Sequence, residues 1–184
     1  MCRDFSTDAV EPAIVDRCID RARRAASAGH TQGWAWMVLE GPATDIFWSH
    51  GEDRDRAGGV AAAPVIVLPL VRRSAYLERY READKAHTGR DRLEGWPVPY
   101  WWVDSGGALA LLLLGAVEEG LGALFFALHH PPGPLLGRLG VPAGWEPLGA
   151  VALGWPAPGW RERSLGSARR GRPALAEVIH RGGW

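Results

Sequence analysis

Residues 106–117 form an unbroken run of small and apolar side chains, closed by Glu118 and Glu119. A membrane span needs about twenty such residues, so this shorter run reads as a helix inside a globular fold. Being apolar nearly all round, it must be covered on every side, either by the rest of the chain or by another subunit. Asp104 and Ser105 offer capping oxygens in front of it, and the Gly120-Leu121-Gly122 triplet predicts its end. A chain of 184 residues arranged round one central helix suits a single domain over residues 1–184, or one protomer of an oligomer.

The remaining elements follow from periodicity. Behind Pro12, the residues Ile14, Val15, Cys18, Ile19, Ala22 and Ala26 recur at helical spacing and predict an amphipathic helix ending near residues 27–29. Residues 34–39 and 63–71 are short apolar runs with β-branched side chains, which predict buried strands joined by a polar connection over 51–59. Residues 74–86 predict an arginine-rich helix with Tyr76, Leu77 and Tyr80 on one face, followed by a loop over 89–99. Further strands are expected at 123–128 and 148–153, a short helix at 135–139, and a last strand within 177–184. This irregular alternation predicts a mixed sheet covered by helices.

Composition removes several function classes. The 21 basic side chains balance 21 acidic ones, so no net field favours a nucleic acid. Cys2 and Cys18 form neither a CxxC pair nor a disulfide framework, which fits a reducing cytoplasm. Arg3, Asp4 and Asp8 interrupt the first ten residues, so no secretory leader is expected. His129-His130 lacks a neighbouring acid or thiol at ligand spacing, and no metal is expected there. Neither a G-x-S-x-G nucleophile elbow nor a phosphate-binding glycine motif is present.

Twenty of the 21 basic residues are Arg, Lys85 is the only Lys, Asn is absent, and Gln32 is the only Gln. Gln32 falls within Ala26-Ser27-Ala28-Gly29-His30-Thr31-Gln32-Gly33-Trp34, which joins the first helix to the first strand. The stretch reads either as a polar helix terminus or as a binding edge. A residue type avoided elsewhere favours the second reading.

With Arg3-Asp4-Phe5 at the start, the 26–34 stretch, the central helix ending in Gly120-Leu121-Gly122, the strand at Pro147-Leu148-Gly149, and Arg170-Gly171-Arg172-Pro173 near the end, the sequence resembles the nitroreductase family. The resemblance runs over nearly the whole chain in the family's order. It implies an α+β fold with a mainly antiparallel central sheet, and an interlocked homodimer whose tail, residues 156–184, crosses to the partner. It further implies FMN at the subunit interface and hydride passed from NADH or NADPH through flavin N5 to an electron-poor acceptor in a ping-pong cycle. Alternatives are a flavin-binding sensor or partner subunit without nicotinamide turnover, and a redox enzyme using a deazaflavin or quinone partner.

Carried over residue by residue, the resemblance places Arg3, Arg170 and Arg172 at the flavin phosphate, where guanidinium forks make bidentate charge-assisted hydrogen bonds. Ser27, His30 and Gln32 would face the ribityl chain and the polar ring edge, and Gly120 and Gly122 would let backbone approach the ring. His30 stands where the family usually has Asn; an imidazole can also take up a proton near neutral pH, which makes His30 a candidate proton donor. The family's further basic residues ahead of the first Arg have no counterpart. That implies a phosphate held mainly from the C-terminal side, or a start lying further upstream. Trp96, Tyr100, Trp101 and Trp102 are expected on a loop before the central helix, with Tyr100 and Trp101 stacking on a flat substrate and Lys85 meeting an anionic one. Trp184 is expected to anchor the subunit interface.

Overall fold

In the computed structural model, which describes residues 1–50, 54–163 and 171–184, five strands form one sheet in which every pairing is antiparallel. Its centre is β2 (Val65–Arg72). That strand is buried along almost its whole length and reads as a continuous apolar run because helices cover both of its faces. On one side it pairs with β1 (Trp34–Glu40). On the other it pairs first with β5 (Ala150–Gly154), through Val65 to Val67, and then with β4 (Trp145–Pro147), through Leu70 to Arg72. Pro69 falls in the gap between those two partners, where a missing N–H is tolerated; its carbonyl accepts the Leu148 N–H at 2.9 Å. The outer strand β3 (Gly122–Phe126) pairs with β5.

One face of the sheet carries α1 (Pro12–Ala22) and α5 (Tyr100–Glu118), which close over Val65, Val67, Val151 and Leu153. The two helices cross closely at Gly115, where a Cβ would stand 3.4 Å from the Cys18 Cα. Glu119, just past the end of α5, accepts hydrogen bonds from Arg17 at 2.6 Å and Arg21 at 2.7 Å. The other face carries α2 (Ala43–His50), α3 (Arg54–Ala57) and α6 (Gly133–Arg138), with Phe47, Trp48 and Leu135 packed on Ile66, Leu68 and Leu124. Sequence periodicity did not reveal α2, because its eight residues mix Thr, Asp, Ser and His with the buried Phe47 and Trp48.

A third cluster closes the end of the sheet where β2 stops. There α4 (Arg73–Arg79) presents Tyr76 and, just past its end, Tyr80 to Trp96 and Trp101. Ring centroids lie 4.7 Å apart for Tyr80 and Trp96 and 6.0 Å for Tyr76 and Trp96, all edge-on, which is the geometry ring quadrupoles favour.

Several boundaries differ from the expected ones. The first helix stops at Ala22, and the chain then runs through a short turn to Ser27. The central helix starts six residues early, at Tyr100 behind Pro99, so Asp104 and Ser105 lie inside it rather than capping it. The arginine-rich helix ends at Arg79. The chain end is not a strand: α7 (Trp160–Arg163) precedes residues 164–170, which lie outside the described residues, and α8 (Leu175–Val178) follows them.

Candidate functional site

The turn between α1 and β1 has an unusual backbone. Gly29, His30 and Gln32 all have positive φ, at 62°, 56° and 52°, and His30 and Gln32 are the only non-glycine residues among those described to do so. Such conformations cost about 1–3 kcal/mol each and persist where the surroundings impose them. Here the imposition is visible. Asp104 Oδ2 accepts the Ala28 N–H at 2.7 Å, and Arg79 Nε donates to the Gly29 carbonyl at 2.8 Å. The Tyr80 ring lies so close beneath Gly29 that a Cβ would stand 2.8 Å from its Cε2, and Tyr76 lies similarly close beneath Gly33, at 2.7 Å. Within the turn, Ser27 Oγ accepts the Gln32 N–H at 2.9 Å and the Gln32 amide meets the His30 imidazole. The side chains of His30 and Gln32 are exposed, so the scaffold holds the backbone from below while the polar groups face outward. The structure thus brings Ser27, His30 and Gln32 together.

Arg3 stands elsewhere. It lines a cavity of about 390 Å³ on the α2 and α3 side of the sheet, together with Arg56, His129 and His130 over a floor of Trp48, Val60, Leu124 and Phe126. None of the residues of the 27–32 turn lines it. Two guanidinium groups give this pocket positive charge, beside two imidazoles and over an apolar and aromatic floor. The Trp48 indole N–H is buried and has no hydrogen-bond partner among the described residues. Arg56 and Trp48 were missed because the 51–59 connection read only as a polar linker and α2 went unread; the Arg54-Asp55-Arg56 triplet was the available signal.

The remaining expected site residues separate. Gly120 ends α5 with φ 78°, and Gly122 starts β3 against the N-terminal segment, where a Cβ would stand 2.7 Å from that of Cys2. Close backbone approach at Gly122 is therefore to Cys2. Tyr100 and Trp101 are not on a loop but in the first turn of α5. Trp101 is 7 % exposed and belongs to the Tyr76–Trp96 cluster, so within this chain its ring is core, while Tyr100 stays exposed. Lys85 follows α4 and is not among the residues lining the Arg3 cavity. Arg172 is exposed in the tail, and Arg170 lies outside the described residues.

The fold agrees with comparisons to known proteins. The family model described as "Nitroreductase family" matches residues 1–155, and the chain belongs to that family. Among solved structures, a nitroreductase family protein from Streptococcus pneumoniae is 17 % identical with a TM-score of 0.73, the match covering 98 % of this chain and 94 % of that one. A protein assigned as a nitroreductase from Desulfovibrio desulfuricans, in complex with FMN, is 25 % identical with a TM-score of 0.68, covering 100 % and 91 %. One assigned as NADH dehydrogenase/NAD(P)H nitroreductase from Parabacteroides distasonis is 18 % identical with a TM-score of 0.66, covering 100 % and 92 %.

Proposed function

We propose that this chain is a cytoplasmic FMN-dependent oxidoreductase that takes hydride from NADH or NADPH and delivers it to an electron-poor small molecule. The observation that carries the reading is the 27–32 turn. Exposed, strained His30 and Gln32 contribute nothing to the core, yet α4 and α5 fix them from beneath, a combination that marks a binding edge. Family membership and the FMN bound to the Desulfovibrio desulfuricans relative support it.

The residues present suit the cofactor. Arg3 and Arg56 are guanidinium groups at one cavity, as a phosphate monoester requires, and Arg172 and Arg170 would add to them from the tail. The aromatic and apolar floor suits the flat, less polar part of a ligand. Ser27, His30 and Gln32 offer the hydroxyl, imidazole and amide that a flavin's ribityl and pyrimidine edge would bind. FMN bound here would supply the two-electron, hydride-transfer chemistry that links a nicotinamide to the acceptor. The chain's own share is orientation and charge: donors at the ring edge stabilise the electrons gained, and His30 is the side chain of the turn able to hold or release a proton.

Since Arg3 and the 27–32 turn do not line one cavity of a single chain, the reading includes a homodimer in which each site draws on both copies. Two surfaces support that. Val103, Gly107, Ala110, Leu114 and Val117 form an exposed stripe along α5, and Leu175, Val178, Ile179 and Trp184 leave the tail apolar and exposed. The visible spectrum of the purified protein tests the proposal. A yellow protein bleached anaerobically by NADH or NADPH supports it, and a colourless protein that takes up no added FMN ends it. Yellow protein that no nicotinamide reduces leaves a flavin-binding module without turnover.

A further inference from the structure

Asp104 was expected as a helix cap and is nothing of the kind. It lies inside α5, half-buried, and one of its oxygens, Oδ2, accepts two hydrogen bonds from different elements: the Ala28 N–H at 2.7 Å and the Tyr76 hydroxyl at 3.0 Å. Tyr76 is fully buried, and its hydroxyl is held protonated, pushed well above its ordinary range by burial first and by the nearby Asp104 charge. It is therefore a permanent donor, fixed by edge-on contacts to Trp96 and Trp101. The same ring lies against the Gly33 backbone, at the far end of the turn. Asp104 thus grips the start of the turn directly, and through Tyr76 it is tied to the side chain packed on the end of it.

We propose that Asp104 is a positioning residue that holds Gly29, His30 and Gln32 in their left-handed conformation by tying the Ala28 amide to the Tyr76–Trp96–Trp101 cluster. The energetic logic is direct. Left-handed His30 and Gln32 are disfavoured by their own backbones, so the turn relaxes unless something outside it supplies the difference. A carboxylate accepting a backbone N–H is among the stronger hydrogen bonds available. The bonds inside the turn, from Gln32 N–H to Ser27 Oγ and from His30 N–H to the Ser27 carbonyl at 2.8 Å, orient its residues relative to one another. The Asp104 bond is one of those that orient it relative to the body of the protein. The consequence for cofactor binding rests on the flavin reading; the positioning itself does not.

The test is residue-resolved amide hydrogen exchange on the full-length protein without added flavin, comparing the parent with Asp104→Ala and Asp104→Asn. The probes are His30, Thr31 and Gln32, whose amide acceptors, Ser27 and Ala28, are left unaltered by either substitution. Expected is exchange about tenfold or more faster at these three amides in Asp104→Ala, with β2 and the middle of α5 unchanged. Asp104→Asn keeps an acceptor oxygen and restores most of the protection. Unchanged exchange at the three probes in Asp104→Ala overturns the proposal, as does acceleration spread equally over β2 and α5, which signals general loss of stability. FMN titration of the same proteins separates the two readings. Faster exchange together with weakened FMN binding supports both, whereas faster exchange in a protein whose parent binds no FMN supports the positioning role and sinks the flavin assignment.

Discussion

His30 and Gln32 sit two residues apart, both in left-handed backbone, with the amide of one against the imidazole of the other. Each could be glycine at little cost to the fold, since glycine adopts that conformation freely. Exposed side chains in strained backbone are what the proposed flavin-binding edge calls for. Gln32→Gly is therefore expected to leave stability within about 1 kcal/mol of the parent, relief of strain offsetting glycine's entropy, while weakening FMN binding about tenfold through lost hydrogen bonds. Chemical denaturation and a flavin fluorescence titration measure the two effects. A large loss of stability with unchanged FMN affinity contradicts this assignment.

The Arg3 cavity makes a prediction about which part of the ligand it holds. Arg3→Ala and Arg56→Ala remove guanidinium groups from a pocket floored by Trp48 and Phe126. A charge-assisted hydrogen bond is worth about 1.5–3 kcal/mol. Each substitution should raise the dissociation constant of FMN by at least tenfold and leave that of riboflavin, which lacks the phosphate, within about twofold. Equal losses for the two ligands would place the phosphate elsewhere.

Much of the fold was legible because its signals are local. The runs in β1, β2 and β5 and the length of α5 are written in consecutive residues, and Ser27, His30 and Gln32 share one short turn. What the sequence hid depends on distant chain segments. Arg56 becomes part of a basic cavity only when α3 is folded beside the N-terminal segment. Trp101 read as a substrate-stacking loop residue because three aromatics follow a proline, but the helix begins at Tyr100 and turns Trp101 into the Tyr76 cluster. Asp104 carried a plausible capping role by sequence position, and its partners Ala28 and Tyr76 lie 76 and 28 residues away. Cross-links between elements of that kind leave no periodicity to read.

Glu119 gives the fold an acid-sensitive clasp. Hydrogen bonds from Arg17 and Arg21 lower its carboxyl from an ordinary 4.5 to about 2. A depressed carboxyl contributes stability that is present above its unfolded value and is lost as the pH falls toward its folded value. The melting-temperature difference between the parent and Glu119→Gln should thus be full at pH 6 and shrink as the pH drops from 4.5 toward about 2. Differential scanning at several pH values reads it, and a difference that does not change over this range would show that the clasp contributes nothing. Because the arginines reach Glu119 from α1, the variant should loosen the end of α5 first.

The exposed face of α5 carries the last prediction. Leu114 and Val117 are 65 % and 67 % exposed and Val103 is 51 % exposed, although the opposite face of the same helix is buried in the core. The helix is long and apolar enough to cross a membrane by length and composition alone, but Ala108, Leu112 and Ala116 are fully buried against the protein's own sheet and α1. That leaves a single apolar stripe, the arrangement expected of a subunit interface rather than of a lipid-embedded span. Leu114→Glu places a charge in the middle of this stripe, where burial without a partner is costly. The parent should sediment as a dimer and the variant as a monomer with an unaltered far-ultraviolet dichroism spectrum. Since the site is proposed to draw on both copies, FMN binding should fall with the dimer. A monomeric parent, or a variant that remains dimeric, rules out this face as the interface.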